Sequence, residues 1–154
     1  MTTSLIFKMA SNYLYAFVCT LSFGVLFNIR GKKLFATSLG GGLGWVVYLI
    51  LINMDISKVS ALFVASIAVS IYSEAMARFL KNPVTLFAIS AIIPLVPGSG
   101  MYYTMYEFIQ GNADKALTLG AETFFSAGAI ACGIILVSSV TRLINTKRYK
   151  NRRL

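Results

Sequence analysis

Apolar residues dominate five consecutive stretches of the chain, and short polar connections separate them. The stretches cover approximately residues 9–29, 34–54, 59–79, 84–106 and 117–141. A helix needs about 20 mostly apolar residues to cross the roughly 30 Å hydrocarbon core of a bilayer. The pattern therefore predicts an all-α, polytopic helical membrane protein, in which residues 1–154 form a single transmembrane domain with about five spans.

The polar residues are too few to cover a water-exposed surface. Of the 154 residues, 57% are hydrophobic and only 12% are charged, whereas a soluble domain carries about 25% charged residues. The 14 basic residues outnumber the 5 acidic residues, but they lie between apolar stretches, which argues against a nucleic-acid partner. Because the chain has no histidine and its two cysteines, Cys19 and Cys132, are isolated, we expect neither an enzyme nor a metal or other cofactor.

The basic residues are distributed unevenly between the two sides of a five-span arrangement. One side would hold Arg30, Lys32, Lys33, Arg78, Lys81, Arg142, Lys147, Arg148, Lys150, Arg152 and Arg153. The other side would hold only Lys8, Lys58 and Lys115. Because Lys and Arg collect on the cytoplasmic side, the pattern predicts a multi-pass protein of the cell (inner or plasma) membrane, with its N-terminus outside and its C-terminus inside.

Small residues recur at a four-residue spacing in the second and fifth stretches. Gly40 and Gly44 have the G-x-x-x-G spacing, and Gly128 and Gly133 each belong to a similar pair of small residues. In lipid, this spacing lets helix backbones approach closely. We therefore expect these glycines to mediate helix packing, either within the chain or between chains. Four or five helices enclose little volume, which favours assembly with another chain.

One carboxylate stands inside an apolar stretch. Glu74 lies about one turn before the end of the third stretch, and Arg78 follows four residues later. An ionisable group at membrane depth is a functional candidate by default. Ser66, Ser70 and Ser73 share roughly the same helix face as Glu74. This stripe indicates either a hydrated pathway or a salt bridge at a helix end, with serines that bond to their own i−4 carbonyls.

The other acidic residues are interpreted as structural or solvated. Glu122 lies near the start of the fifth stretch, where the helix dipole favours a carboxylate. The remaining three, Asp55, Glu107 and Asp114, fall in connections and are expected to face solvent.

The fourth stretch contains the sequence Ile-Ile-Pro-Leu-Val-Pro-Gly-Ser-Gly. Pro94 and Pro97 remove two amide donors, so we predict a broken helix, and a break at membrane depth must face protein or water. A second half-helix beginning near Ser99 would point its first-turn amides at the break, where they could bind a carboxylate. The alternative is a simple proline kink, with the nearby tyrosines forming an interfacial belt.

Four motifs follow one another over nearly the whole chain. They are Phe23-Gly24-Val25-Leu26-Phe27-Asn28, the glycine cluster at 40–44, Ser73-Glu74-x-x-Ala77-Arg78-x-x-Lys81-x-Pro83, and Ile92-Ile93-Pro94-Leu95-Val96-Pro97-Gly98. In this order they resemble the threonine/serine exporter family, specifically its small membrane subunit (ThrE- and YjjB-like proteins). The chain departs from the family at Arg30, where a proline is expected, and this departure concerns the shape of one loop.

The resemblance implies export of threonine and serine by a proton-driven antiporter. It also implies a larger membrane subunit that carries the other half of a two-subunit transporter. Related two-subunit members are associated with succinate export instead. The alternatives left open are a homo-oligomer, an accessory or scaffolding subunit without its own pathway, and a channel without proton coupling.

The family resemblance identifies no catalytic residues, so the roles of individual residues are hypotheses. The substrate-binding candidates are Gly98, Ser99, Gly100, Asn28 and Tyr102. The first three would present amides and a hydroxyl to the substrate carboxylate, and the asparagine would add a hydrogen bond at the cytoplasmic mouth. Glu74 would take up the coupling proton or bind the substrate ammonium group, and Arg78 would set its affinity for protons.

Overall fold

The computed structural model describes the backbone of residues 2–150 and the side chains of residues 7–144. Within this range all regular secondary structure is helical and there is no strand, which confirms the predicted all-α class. The elements are α1 (Thr2–Leu26), α2 (Lys32–Asn53), α3 (Lys58–Phe79), α4 (Val84–Ile92), a 3-10 turn (Ile93–Leu95), α5 (Gly98–Ile109) and α6 (Ala113–Lys150). The basic residues from Lys147 to Arg153, which contribute to the topology prediction, lie outside the described side chains.

Four of the described helices contain a segment long and apolar enough to cross a membrane. These segments are Phe7–Leu26, Lys32–Asn53, Lys58–Phe79 and Ala113–Ile144. A fifth span exists if α4 and α5, which are bent by 50° at the break between them, cross together. The described chain therefore has four to five candidate spans.

Four helices end in the same kind of left-handed turn. The turn residues are Asn28, Asp55, Lys81 and Gly111, with φ values of 58°, 57°, 50° and 81°. At each turn, the N–H of the following residue donates to the carbonyl five residues back, at 2.9–3.2 Å. This hydrogen bond satisfies a carbonyl that the helix end leaves open. The chain can therefore reverse within a few residues, which is why the connections are short.

Helix α2 lies between α1 on one side and α3 and α4 on the other, and its glycines make this position possible. A Cβ atom on Gly41 would overlap the side chain of Thr20 in α1, and a Cβ atom on Gly44 would overlap Val69 in α3. Gly40 faces α3 and α4 in the same way. These close backbone approaches are the packing expected for small residues at a four-residue spacing.

Helix α6 runs along α3, and α5 folds back onto α6. Gly133 packs against Ser66 of α3, and Gly100 of α5 packs against Thr123 of α6. Gly128 is different, because it is exposed and a Cβ atom there would meet nothing within 4 Å. Gly133 therefore serves packing within the chain, whereas Gly128 is available for contact with another chain or with lipid.

The two ends of the helix bundle differ in charge. One end carries the α1–α2 and α3–α4 connections and the last turns of α6, and we call it the basic end. The opposite end, called the far end, carries the α2–α3 and α5–α6 connections. The basic end holds Arg30, Lys32, Lys33, Arg78, Lys81 and Arg142.

Candidate functional site

Glu74 faces a groove between α3, α4 and α6 near the basic end. The groove has a volume of about 310 Å³, and its lining is mostly apolar. Besides Glu74, it is lined by Val84, Thr85, Ala88, Ile89, Ile92, Ile134 and Ser138. An adjoining recess of about 380 Å³ continues toward the basic end past Ser139, Thr141 and Arg142. We call these two spaces together the carboxylate groove.

The ion pair between Glu74 and Arg78 is loose. The Nη2 atom of Arg78 lies 3.9 Å from Oε2 of Glu74, and the arginine side chain is 50% exposed whereas the glutamate side chain is only 15% exposed. An exposed pair at this i,i+4 spacing contributes about 0.3–0.5 kcal/mol at best. The carboxylate is thus largely removed from solvent without a tightly bound cation.

The serine stripe of α3 does not behave uniformly. Ser66 donates to the carbonyl of Phe63 at 2.7 Å, as a serine within a helix often does. Ser70 and Ser73 are almost fully buried, yet their hydroxyls have no hydrogen-bond partner in the described part of the chain. An unsatisfied buried hydroxyl costs about 1–3 kcal/mol, so this face of α3 retains unused hydrogen-bonding capacity.

The fourth apolar stretch is broken where the prolines predicted it. After Ile92 the chain makes a 3-10 turn, Val96 is extended, and α5 begins at Gly98. Pro97 is buried at the break. The N–H groups of Ser99 and Gly100 have no acceptor among the described residues. These amides therefore remain available to a ligand, as the first turn of a helix requires.

The sequence-predicted site residues lie in three separate places. The carboxylate groove extends along α4 only as far as Ile92, whereas Gly98 and Ser99 lie beyond the break and are exposed. Tyr102 is 64% exposed and stacks on Tyr106, with 6.3 Å between ring centroids.

Asn28 occupies the third place, beside α4, where it lines a recess together with Thr85 and Ser90. Asn28 also has a structural role that the sequence reasoning missed, because it is the left-handed residue that ends α1. Asparagine is one of the few residues other than glycine that readily adopt this conformation.

Glu107 corrects an expectation from the sequence. It was expected to face solvent, but it is 7% exposed and bonds to Lys115 at 2.5 Å and to Asn112 at 2.8 Å. The reason is the packing of α5 on α6, which turns this face of α5 toward the start of α6. Glu122, at the far end, pairs with Lys58 of α3 at 3.0 Å.

Sequence reasoning also missed two serines. Ser90 in α4 and Ser126 in α6 are buried, and their hydroxyls have no partner in the described part of the chain. The signal that could have found Ser90 is its position as a lone hydroxyl between apolar residues of the fourth stretch.

Comparison with known proteins decides the family. The profile described as threonine/serine exporter, ThrE, matches residues 12–140. The chain belongs to the threonine/serine exporter family. The family is one of membrane transporters, described as exporters of threonine and serine.

A relative of unassigned function matches most of this chain. An uncharacterized protein of Haemophilus influenzae is 27% identical over 143 residues, which cover 87% of this chain and 48% of the relative. The chain thus spans about half the length of that relative. No solved structure matches the chain.

Proposed function

We propose that this chain and a larger partner subunit together form a proton-coupled secondary transporter. The transporter exports threonine and serine. The observation that carries the proposal is the Glu74 side chain, which is 15% exposed in a largely apolar groove of a threonine/serine exporter family member. A carboxylate within a span is costly. Its retention there is explained if it changes its protonation state during transport.

The loose pairing of Glu74 suits a proton carrier. A cation held at 2.5–3.0 Å would keep the carboxylate ionised, as charge-assisted hydrogen bonds do. Arg78 lies at 3.9 Å and is half exposed, so it attracts the carboxylate only weakly. Protonation removes the negative charge of Glu74, so the substrate ammonium group loses its ionic partner. Proton uptake and substrate release are thereby linked.

The break between α4 and α5 supports a binding site for the substrate carboxylate. The amides of Ser99 and Gly100 start a helix and have no acceptor among the described residues, and helix N-termini attract anions. Transporters commonly use discontinuous helices in this way. The hydroxyl of Ser99 and the ring of Tyr102, both exposed, would complete the site when a second subunit covers them.

A partner subunit is supported by the lateral position of these groups. The carboxylate groove opens on the side of the bundle between α4 and α6, and at membrane depth a carboxylate such as Glu74 faces protein or a water-filled cavity rather than lipid. The exposed Gly128 on α6 offers a surface on which another helix backbone can approach closely. The relative from H. influenzae is about twice as long as the matched segment, which leaves room for a second membrane half.

The test is efflux of threonine, serine and succinate from preloaded cells that express this chain, the larger subunit, or both. Efflux of threonine or serine only when both are present supports the proposal. Efflux of succinate alone would mean that the transporter exports succinate instead, and the proposal of a two-subunit transporter would stand. Full efflux with the larger subunit alone would reduce this chain to an accessory role.

A further inference from the structure

A second recess, with both polar and apolar lining residues, lies beside the carboxylate groove on α4. Its volume is about 420 Å³. It is lined by Phe27, Asn28, Ile29, Pro83, Thr85, Leu86, Ile89 and Ser90, and we call it the asparagine recess. Thr85 and Ile89 line both spaces, so the first half of α4 forms the wall between them.

The recess contains the uncapped start of a helix. The residue that caps α4 is Pro83, which makes no side-chain hydrogen bond to the helix. The N–H group of Thr85, which lines the recess, has no acceptor in the described part of the chain, and neither has that of Val84, which lines the carboxylate groove. Open amides and the positive end of the helix dipole together favour an anionic group at this position.

An independent observation comes from Ser90, six residues further along α4. Its side chain is 1% exposed, and its hydroxyl lacks a partner among the described residues although it lines the recess. Of the four buried serine hydroxyls without a partner among the described residues, only that of Ser90 belongs to a residue lining this recess, where it can bond to a ligand. The recess therefore has an open amide near one end and the unpartnered hydroxyl of Ser90 near the other.

Asn28 lines the recess from the turn that follows α1. The left-handed turn at the end of α1 fixes the backbone of this residue, with its N–H bonded to the carbonyl of Val25 at 2.9 Å. The backbone is thus held in place, while the side chain can both donate and accept hydrogen bonds. Arg30 follows two residues later and Lys81 precedes Pro83 by two, so the surroundings are basic.

We propose that the asparagine recess is a loading site for a small carboxylate solute on the basic side of the transporter. The solute carboxylate binds the amide of Thr85 at the start of α4, and its other polar end contacts Ser90 and Asn28. Thr85 and Ser90 are about 7.5 Å apart along α4, at 1.5 Å per residue. This length suits a short, two-ended solute such as an amino acid or a C4 dicarboxylate. The inference rests on the proposed function, because it names where the exported solute first binds.

The first test measures access to the recess in the complex with the larger subunit, in inverted membrane vesicles. With Cys19 and Cys132 replaced by alanine, Leu86→Cys places one thiol in the wall of the recess. Threonine should slow labelling of this thiol by a water-soluble maleimide several-fold, whereas threoninamide, which lacks the carboxylate, should not. Phe79→Cys, at the exposed end of α3, is the control whose labelling rate should not change.

The second test separates Ser90 from a matched serine. Ser90→Ala should raise the threonine concentration for half-maximal uptake into the vesicles about tenfold, as expected for one lost hydrogen bond. Ser126→Ala removes an equally buried, unpartnered hydroxyl on α6 and should leave that concentration unchanged.

Two results would overturn the loading site. One is a rate of maleimide labelling of Leu86→Cys that threonine does not change, in vesicles that still transport threonine. The other is the same half-maximal concentration for Ser90→Ala and Ser126→Ala. Both results leave the proposed exporter in place. In contrast, threonine protection of Leu86→Cys in a complex that transports no solute supports the recess and overturns the proposed export.

Discussion

The carboxylates at the two ends of the molecule differ in their ion pairing. At the far end, Glu107 bonds to Lys115 at 2.5 Å and Glu122 bonds to Lys58 at 3.0 Å. Each of these pairs joins α6 to a neighbouring helix. At the basic end, Glu74 lies 3.9 Å from a half-exposed arginine. The far-end carboxylates connect helices, whereas Glu74 makes only a long pair with an arginine of its own helix, which is the arrangement that the proposed proton-carrying role requires.

Hydroxyl groups show the same contrast between regions of the bundle. In α1 and α2, Thr20, Thr37 and Ser38 donate to carbonyls four residues earlier, at 2.8–2.9 Å. In α3 and α4, Ser73 and Ser90 are equally buried but have no partner in the described part of the chain. The first group is satisfied within its own helix. The second group retains unused hydrogen-bonding capacity, and of the two only Ser90 lines one of the spaces described above.

The largest expected effect separates Glu74 from Glu122. Glu74→Gln keeps the size and polarity of the side chain but cannot exchange a proton, so threonine efflux should lose its dependence on the pH difference across the membrane. Glu122→Gln should retain that dependence, because its exposed pair with Lys58 contributes only about 0–1 kcal/mol. Efflux measured at several external pH values checks both. A pH response of Glu74→Gln equal to the unsubstituted protein would contradict the coupling role.

Sequence reasoning predicted the fold better than the site. The apolar stretches and the two prolines determine the helices and the break, because both effects are local. The carboxylate groove depends on which side of α4 each residue faces after packing, and no local pattern contains that information. Asn28 and Glu74 were both predicted to serve one substrate, yet they line different spaces along α4. Glu107 was expected in solvent because its burial requires α5 to fold onto α6.

An intermediate effect distinguishes packing inside the chain from packing between chains. Gly44→Ala forces a methyl group into Val69, and overpacking of this kind typically destabilises a protein by about 1–3 kcal/mol. Gly128→Ala meets nothing within 4 Å and should leave the thermal stability of the isolated chain in detergent unchanged or slightly raised. Co-purification with the larger subunit is the second measurement.

Loss of co-purification by Gly128→Ala, with normal stability of the chain alone, would assign this face of α6 to the partner. Retained co-purification would mean that Gly128 faces lipid and that the partner binds elsewhere. Equal stability of the Gly44→Ala and Gly128→Ala variants would contradict the close contact between α2 and α3.

The smallest expected effect compares the same left-handed turn at the two ends. Gly111 occupies it at the far end and Lys81 at the basic end, with φ values of 81° and 50°. A side chain in this conformation costs about 1 kcal/mol or more, so Lys81→Gly should stabilise the chain by roughly that amount and Gly111→Ala should destabilise it similarly. Lys81→Ala removes the charge but keeps the Cβ atom, so it should bring no gain. If Lys81→Ala stabilises as much as Lys81→Gly, repulsion among the basic residues, and not the backbone conformation, is the source of strain at this end.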